Sequence, residues 1–453
     1  MIFQVRGDTS MIKRNNRTID LQYTGNVKNL PEKLQEKIND FWYKATQESP
    51  NLYNGEDYLV DEVIEDENQI TMRISKSNYA HYLYDERVGI EDEMYRSITP
   101  WSGILLLTND NYWVCGQMDK TTSYPEGFQI PGGGFDKKEF NGTHIDLVQN
   151  LKRELKEEVN LNLDDVDYEF KYIECPTKKR NVYGFLAIGN INMSKNELLN
   201  HFEEYKKYLE DNNLEVEFDK LVFFKKGNAV NDLDSYNNPK RPYLRELLFE
   251  ADNEIKNFVF DFGNVIFNWN PDYIATQYTD NDDDRIEIRD SIFKAQEWKL
   301  LDNGKLTYDE AKKIYKSRLS DHLRPKVDEI MDEWFEKMPI NQELCDLIRE
   351  LKKHNYHIYA LSNSHKALYD YVKKLDIANY FDGILISAIE VMMKPNKEIY
   401  ERLLERFDLI PEECLFIDDS EKNVMSAMEC GMHGLVYNMN TSNINDISAY
   451  ADL

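Results

Sequence analysis

One short stretch in the first half of the chain carries residues that could hold a metal ion. Glu154, Glu157 and Glu158 follow the glycine run Gly132–Gly134. On a helix these carboxylates share one arc, since successive residues turn by about 100°, and they repel one another unless a divalent cation lies among them. Mg²⁺ or Mn²⁺ prefers such oxygen ligands and keeps positions open for substrate phosphates. The glycines would let the backbone approach a diphosphate.

A solvated acidic helix face is the alternative explanation of this pattern. Arg153 and Glu157 are spaced for an i,i+4 pair on such a face. Thr143, with Asp146 three residues later, resembles a capping box that can begin the helix. An apolar stripe at helical spacing gives the helix a buried side; its members are Leu147, Val148, Leu151, Leu155 and Val159. The strand predicted before the glycine run favours the metal site.

Asp261 is the first of a second group of candidate catalytic residues. It follows an apolar run directly, and a carboxylate in that place can attack phosphorus to form an aspartyl-phosphate, which splits one difficult hydrolysis into two steps. Asp418 and Asp419 follow another apolar run. They can hold Mg²⁺ together with Asp261 and so neutralise charge on the phosphoryl group.

Candidate phosphate-binding residues lie between these carboxylates. Ser362 and Asn363 offer donors to phosphate oxygens, and Lys394 offers a positive charge. Each is unremarkable alone, since polar residues after a strand are often turn formers. Their order along the chain, each close to the end of a predicted strand, is far more specific.

The elements that must position these residues are short apolar runs alternating with helical stretches. The predicted strands are Asn257–Asp261, His357–Ser362, Gly383–Ser387, Cys414–Asp418 and Gly434–Tyr437. Strands separated by helices imply a parallel, doubly wound α/β sheet, with active sites beyond the carboxyl ends of its strands.

The pattern divides the chain into residues 1–95, 96–254 and 255–453, with the last boundary near Asp252–Lys256. The first part contains a predicted helix, Pro31–Thr46, and fits either an oligomer contact or a substrate-covering extension. The second part is predicted to hold strands at Gly103–Thr108, Tyr112–Gln117, Val182–Ile188 and Lys220–Lys225, a loop at Lys226–Arg241 and a helix at Pro242–Ala251.

Composition restricts the partners. The 453 residues carry a formal net charge of −28 at pH 7, which disfavours nucleic acid and anionic membranes and requires a cation where phosphate binds. The five cysteines include no C-x-x-C pair and fit a reducing compartment. The sequence has no signal-peptide or transmembrane run, so we expect a cytoplasmic protein, and a homo-oligomer is compatible with it.

The segment from Pro131 to Leu161 resembles the box of Nudix hydrolases, G-x5-E-x7-R-E-h-x-E-E-x-G-h with h apolar. The direct matches are Arg153, Glu154, Leu155, Glu157, Glu158 and Leu161. The resemblance implies an α/β/α sandwich over residues 96–254 that cleaves a nucleoside diphosphate linked to another group, with Mg²⁺ or Mn²⁺. The implied metal ligands are Glu154, Glu157 and Glu158, the last two also catalytic, and the implied substrate-binding residues are Gly133, Gly134 and Arg153.

Three departures from the Nudix pattern lie in or beside this segment. A loop insertion precedes Arg153, and Ile145 occupies the place of the early Glu unless Glu139 or Asp136 substitutes. Asn160 replaces a Gly, a modest change because Asn tolerates left-handed backbone angles. The altered upstream half leaves open a silent domain that binds a nucleotide without cleaving it and reports to the second enzyme.

The motifs D-x-G-N-V, LSN, KP and DDS resemble, in that order, those of the haloacid dehalogenase superfamily over Lys256–Leu453. DFGNV and DDSEKNVMSAMECGM are most similar to its sugar-1-phosphate phosphatases. The resemblance implies a Rossmann-like core with a helical cap at about residues 268–345, which selects substrate and excludes water. It assigns Asp261 as nucleophile, Ser362 and Lys394 to phosphate, Asp418 to Mg²⁺ and Asn423 as a brace of the metal loop.

Gly263 departs from this second pattern. Most phosphatases of the superfamily have there a second Asp, the general acid for the leaving group; the Gly263 carbonyl can ligate metal but cannot donate a proton. Either leaving groups that need little protonation are favoured, such as anomeric or acyl phosphates, or another acid comes from the cap or solvent. We expect the cap aromatic residues, among them Trp298 and Trp334, to pack within the cap, and His365 to be structural.

The two resemblances together suggest a bifunctional hydrolase. A Nudix step on an NDP-sugar would release a sugar 1-phosphate, which the phosphatase would hydrolyse. The alternatives are a silent Nudix domain that senses a nucleotide for an active phosphatase, and two independent hydrolases in one chain.

Overall fold

The computed structural model describes residues 11–48, 52–122, 124–177 and 180–451, so the first ten residues of the predicted N-terminal part lie outside it. The chain divides into Met1–Asn253 and Glu254–Leu453, a break inside the range Asp252–Lys256. None of the helices in the described ranges combines the length and apolar character that a membrane crossing needs.

Strands of the first unit build two sheets within its described residues. The strands are β1 (Met11–Arg14), β2 (Thr18–Val27), β3 (Glu56–Glu65), β4 (Gln69–Asn78), β5 (Thr99–Leu107), β6 (Tyr112–Met118), β7 (Phe128–Gln129), β8 (Gly132–Gly134), β9 (Phe140–Asn141), β10 (His144–Ile145), β11 (Asp167–Cys175), β12 (Val182–Asn190) and β13 (Phe218–Lys225). One sheet has the order β1-β11-β12-β5-β6-β13, with β7 on β6 and β8 on β5; the other has the order β3-β4-β2-β10-β9.

Helices cover both faces of the larger sheet. The helices of the first unit include α1 (Glu32–Glu48), α2 (Tyr79–Arg87), α3 (Leu147–Val159), α4 (Lys195–Asp211), α5 (Ala229–Asp234) and α6 (Leu244–Asp252). Leu151 and Leu155 of α3 pack with Ile104 of β5 on one face, while Leu247 of α6 packs with Leu105 on the other. Alternate side chains of a strand point to opposite faces, so β5 is buried from both sides.

The N-terminal part is integrated into this unit rather than attached as a separate piece. Strand β1 pairs with β11 at the edge of the larger sheet. Strands β2, β3 and β4 form the smaller sheet with β9 and β10. The hairpin of β9 and β10 lies in the predicted insertion before Arg153. The insertion therefore provides the strand that pairs with β2 through His144 and Ile145.

Two local predictions in this unit are wrong. The helix α3 begins after Asp146, whose carboxylate accepts from the N–H groups of Val148 and Gln149 at 2.9 and 3.1 Å, so Thr143 is not its cap. The predicted loop Lys226–Arg241 contains α5. Ala229 and Leu233 lie one turn apart on α5 and are fully buried, and this burial stabilises a helix that the polar composition concealed.

The second unit is a parallel sheet, as predicted, in the order β16-β15-β14-β17-β18. These strands are β14 (Asn257–Phe260), β15 (His357–Ser362), β16 (Gly383–Ile386), β17 (Cys414–Asp418) and β18 (His433–Val436). The helices are α7 (Pro271–Thr276), α8 (Asp282–Ile288), α9 (Gln296–Asp302), α10 (Tyr308–Arg318), α11 (Val327–Glu333), α12 (Gln342–Lys353), α13 (Lys366–Val372), α14 (Ser387–Glu390), α15 (Lys397–Phe407), α16 (Glu421–Glu429) and α17 (Asn445–Ser448). Because β14, β15 and β17 are neighbours and parallel, their carboxyl ends deliver side chains to one edge.

Helices α7 to α11 form the helical segment between β14 and α12. Its interior is aromatic: the rings of Trp269 and Trp298 stack at 5.3 Å between centroids, and Trp334 meets Trp298 edge-on at 5.0 Å. Trp298 and Trp334 are buried. Such pairs favour offset or edge-to-face geometry, and these rings belong to the same buried cluster as Phe258 and Phe260 of the sheet.

Candidate active site

Asp261 lies directly after β14 and faces a buried lysine. Its main-chain N–H donates to the Ile417 carbonyl at 2.9 Å, which ties it to β17. The Nζ of Lys394 lies 2.9 Å from Asp261 Oδ1 and 2.6 Å from Asp418 Oδ2. All three residues are buried, with Asp418 at 0% exposure. The lysine thus balances two carboxylates that would otherwise repel each other in a poorly solvated place.

Three carboxylates converge beside this lysine. One carboxylate oxygen of each of Asp261, Asp418 and Asp419 lies within 4.8 Å of the other two. Among the described residues, no other group of three or more Asp, Glu, His or Cys side chains comes this close together. The main-chain N–H of Ser420 and the amide of Asn423 donate to Asp418 Oδ1 at 2.8 and 3.0 Å. The Asp418 carboxylate is therefore oriented before any ligand binds.

The electrostatics of the cluster follow from burial and mutual charge. Burial raises the pKa of Asp261 to about 6, opposed by the charge of Lys394 and reinforced by Asp418. Burial also raises the pKa of Asp419, opposed by the amide of Asn264. Burial lowers the pKa of Lys394, but Asp261 and Asp418 outweigh it and the pKa lies above its ordinary value. Lys394 is therefore cationic at neutral pH.

Ser362 and Asn363 follow β15, but their side chains have different surroundings. The Ser362 hydroxyl is buried and hydrogen-bonds Asp261. The Asn363 amide instead closes a pair of bonds with the main chain of Lys394, donating to its carbonyl and accepting from its N–H, both at 2.9 Å. The side chain predicted to bind phosphate therefore braces the main chain at Lys394.

A cavity of about 290 Å³ opens onto these residues. Its polar lining includes Asp261, Gly263, Ser362 and Asp419, and the same cavity has aromatic and apolar side chains in its walls. The apolar lining comprises Phe262, Phe267, Trp269, Phe293, Trp298, Trp334, Met338 and Leu368. The cavity therefore has both acidic and aromatic side chains in its lining.

Asp302, at the end of α9, also lines this cavity, although no sequence pattern marks it. It lies in an unremarkable Asp-Asn-Gly turn outside every motif. Burial raises the pKa of Asp302 well above its ordinary value, opposed by the main-chain N–H of His365 and reinforced by Asp261. Only the folded chain brings this carboxyl to the site.

His365 has the structural environment expected from the sequence. It is 3% exposed, and its ring lies 5.1, 5.2 and 5.2 Å from those of Trp298, Tyr308 and Trp334. Neither ring nitrogen has a hydrogen-bond partner within the part of the chain that the structure describes. Burial lowers the pKa of His365 to about 3, so the ring is neutral over the physiological range.

The glutamates of the first unit are arranged differently from the aspartates. Glu154 and Glu158 are buried at the glycine run, where the Gly132 N–H donates to Glu158 Oε2 at 2.7 Å. A Cβ at Gly133 would lie 2.3 Å from Glu154 Oε1, so glycine permits this approach. Glu157 instead points outward with its side chain 56% exposed. The three predicted metal ligands therefore do not share one inward face.

Arg153 holds this segment together and is not free to bind a phosphate. Its guanidinium contacts Glu139 at 2.7 Å, Glu154 at 2.8 Å and Glu157 at 3.0 Å, and donates to the Gly134 carbonyl at 3.0 Å. The i,i+4 pair of the solvated-face explanation is therefore present. Glu139 is one of the two residues that could substitute for the early Glu of the Nudix pattern, whose place Ile145 occupies. It is buried and pairs with Arg153.

Glu217, just before β13, is a further carboxylate beside this group, and the sequence analysis missed it. Burial raises the pKa of Glu158 well above its ordinary value, and the charges of Glu217 and Glu154 raise it further. Glu158 Oε1 is buried with no hydrogen-bond partner among the described residues. Glu217 is far from the helix in sequence, so no spacing rule could have joined it to the motif.

Comparisons with known proteins concern the second unit. A family model for haloacid dehalogenase-like hydrolases matches residues 255–431. A sesquiterpene phosphatase, astK of Aspergillus oryzae, is 28% identical over 186 residues, which are 40% of this chain and 88% of that protein. D-ribitol-5-phosphate phosphatase of Bacteroides thetaiotaomicron is 27% identical over 191 residues, 39% of this chain and 89% of that one.

A shorter match and the solved structures also fall on part of the chain. A chloroplast flavin mononucleotide hydrolase of Arabidopsis thaliana is 31% identical over 104 residues, covering 23% of this chain and 42% of that protein. A HAD-like family hydrolase from Porphyromonas gingivalis aligns with a TM-score of 0.37 and 22% identity, over 44% of this chain and 98% of that chain. The family model assigns residues 255–431, within the C-terminal half of this chain, to the haloacid dehalogenase-like hydrolases.

Proposed function

We propose that the second unit is a Mg²⁺-dependent phosphatase of small phosphate monoesters, with Asp261 as nucleophile. The observation that carries this proposal is the convergence of the Asp261, Asp418 and Asp419 carboxylates beside the buried Lys394. Three oxygen ligands at the end of parallel strands suit a hard divalent cation. A lone cation, Lys394, could not balance three carboxylates and a phosphate dianion, so the donor set fits a metal ion.

The geometry supports a two-step reaction. Asp261 attacks phosphorus, an Asp261–phosphorus bond forms, and the ester P–O bond breaks as the alcohol leaves. Water then attacks the aspartyl-phosphate and returns the Asp261 carboxylate and inorganic phosphate. Asp261, Asp418 and Asp419 would hold Mg²⁺, which supplies positive charge against the phosphoryl oxygens. Lys394 and Ser362 position and neutralise the same group.

The lining of the cavity favours an organic group with a flat or apolar part. Trp269, Trp298 and Phe293 contribute ring surface to the cavity, and beside these rings a polyol would lose hydrogen bonds to water without replacement. The similar proteins act, by name, on a sesquiterpene, ribitol 5-phosphate and flavin mononucleotide. We therefore favour an apolar or aromatic phosphate ester over the sugar phosphate expected from the sequence.

Phosphate release by the full-length protein tests this proposal. We would compare 2-phenylethyl phosphate with ribitol 5-phosphate, in Mg²⁺ and with excess chelator. The wild type should hydrolyse both and have the higher kcat/KM for 2-phenylethyl phosphate, and Asp261→Asn should lose at least about a thousandfold in kcat. The exposed Asp309→Asn variant is the matched control. Equal activity with and without Asp261 would refute the assignment.

A diphosphate hydrolase site in the first unit is a second proposed function. It is supported by the buried Glu154 and Glu158 at the glycine turn, with Glu217 beside them and one Glu158 oxygen lacking a partner among the described residues. Glu154 and Glu158 would be the inner metal ligands, and Glu157 would have to leave Arg153 to join them. The exposed position of Glu157 is also compatible with a site that binds a nucleotide without cleaving it.

Release of nucleoside monophosphate from ADP-ribose or an NDP-sugar distinguishes a diphosphate hydrolase from a nucleotide sensor. If the site is catalytic, Glu158→Gln should abolish release in Mg²⁺ or Mn²⁺, while Glu204→Gln, on the exposed face of α4, should not. Nucleotide binding without turnover in wild type would instead support the sensor.

A further inference from the structure

A phosphatase that cleaves alkyl esters must protonate the departing oxygen, and Gly263 cannot do so. The position is not closed to a side chain, because a Cβ at Gly263 would meet nothing nearer than Trp269 Cβ at 3.8 Å. Its φ is also outside the left-handed range. Neither sterics nor backbone conformation therefore explains the glycine, and the proton must come from elsewhere if such esters are substrates.

Asp302, the last residue of α9, lines the cavity together with Asp261. It belongs to α9 of the helical segment, yet its own backbone is tied to the sheet domain, since the Ser387 hydroxyl donates to the Asp302 carbonyl. Two residues later Gly304, at φ +69°, lies so close to α14 that a Cβ would be 2.4 Å from the Ala388 carbonyl oxygen. The turn that carries Asp302 is thus held in place at its end.

The chemistry around Asp302 suits a proton donor. Among the residues that line the cavity, the other carboxylates are Asp261 and Asp419 of the phosphate end. The titratable groups that face Asp302 are Asp261, Tyr308, Tyr315 and the neutral His365, whose main-chain N–H points to the Asp302 carboxylate. That set contains no cationic side chain, and burial raises the pKa of the Asp302 carboxyl well above its ordinary value, which favours the protonated form.

We propose that Asp302 is the general acid and base of the phosphatase, in place of the residue missing at Gly263. This inference rests on the proposed function. In the first step Asp302 gives its proton to the ester oxygen as the P–O bond breaks and the Asp261–phosphorus bond forms. In the second step the Asp302 carboxylate takes a proton from the attacking water, which regenerates both residues.

Leaving-group dependence distinguishes this role from a purely structural one. A general acid matters most for a poor leaving group, so kcat/KM, which reports the first step, should depend on the alcohol. We expect Asp302→Asn to lower kcat/KM for 2-phenylethyl phosphate by about 10²- to 10³-fold. For 4-nitrophenyl phosphate, whose phenolate leaves without help, we expect a loss of less than about tenfold.

A second variant keeps the test independent of folding. Because Gly263 has room for a side chain, the double variant Gly263→Asp with Asp302→Asn should recover at least about tenfold of the lost alkyl phosphatase activity. Asp309→Asn, on the exposed start of α10, should leave both substrates unaffected. Equal losses on both esters with no recovery, or no loss on either, would overturn the role of Asp302. If wild-type protein cleaves neither ester, the proposed function itself fails.

Discussion

Lys394 is the residue on which the phosphatase site depends electrostatically. It is 3% exposed and lies between two carboxylates at hydrogen-bonding distance. Removing one member of a buried charged group leaves the others uncompensated, which is strongly destabilising. The carboxylates were predictable from their motifs, but the position of the lysine between them required the fold.

Lys394→Met should therefore abolish phosphate release and lower the free energy of unfolding by roughly 3 kcal/mol without Mg²⁺. Added Mg²⁺ should restore part of this stability, since it replaces the lost positive charge. Denaturant unfolding with and without Mg²⁺ measures both effects. Lys397→Met, which removes an exposed pair with Glu429, is the control; equal stability of both variants would contradict the account.

His365 should make the folded state sensitive to acid. Burial lowers the pKa of His365 to about 3. Between this pH and the ordinary histidine pKa of about 6.5, the unfolded chain therefore binds a proton that the folded chain does not. Stability from this group is full above pH 6.5 and falls as pH decreases; the loss at pH 5 is about 2 kcal/mol.

His365→Phe should remove most of that loss, because phenylalanine fits an aromatic cage and does not titrate. The measurement is the free energy of unfolding at pH 5 and pH 7.5 for wild type, His365→Phe and the exposed-site control His354→Phe. An unchanged pH dependence in His365→Phe would show that the buried ring does not govern acid sensitivity.

At the scale of elements, the sheet of the second unit was predictable because its strands are short, apolar and separated by helices. Each predicted strand is present within a residue at either end. Asp302 was not predictable, since an Asp-Asn-Gly turn is an ordinary helix ending and only packing against α14 brings it to the cavity. Asn363 was assigned to phosphate from its residue type and Arg153 from the Nudix resemblance. Neither reveals that Asn363 bonds the main chain of Lys394 and that Arg153 pairs with three glutamates.

The glycine run of the first unit provides a test at this scale with an internal control. Gly132 has φ +149°, and a Cβ there would lie 2.3 Å from the Ser102 carbonyl oxygen; a Cβ at Gly134 would meet nothing within 4 Å. Gly132→Ala should lower the free energy of unfolding by roughly 1–3 kcal/mol, and Gly134→Ala should change it by less than about 0.5 kcal/mol. Thermal unfolding of both variants checks this, and similar melting temperatures would contradict the geometry.

At the scale of the whole molecule, the question is whether the two units process one substrate in sequence. Each has its own carboxylates and its own hydrophobic core, so either can be disabled separately. If they act in sequence on an NDP-sugar, Asp261→Asn should accumulate a sugar phosphate and Glu158→Gln should leave the substrate intact. If the apolar cavity sets the specificity, wild-type protein should hydrolyse the sugar phosphate much more slowly than 2-phenylethyl phosphate, which would favour two independent hydrolases.

If Asp261 is the nucleophile, its carboxylate carries the phosphoryl group as an aspartyl-phosphate during turnover. A rapid-quench experiment can detect this intermediate. Full-length protein with Mg²⁺ would be mixed with 4-nitrophenyl phosphate, quenched in acid, digested and analysed by mass spectrometry. We expect a transient phosphoryl group on the peptide that contains Asp261, absent in Asp261→Asn and without Mg²⁺. Phosphate release by Asp261→Asn at the wild-type rate, or a phosphoryl group on another peptide, would contradict it.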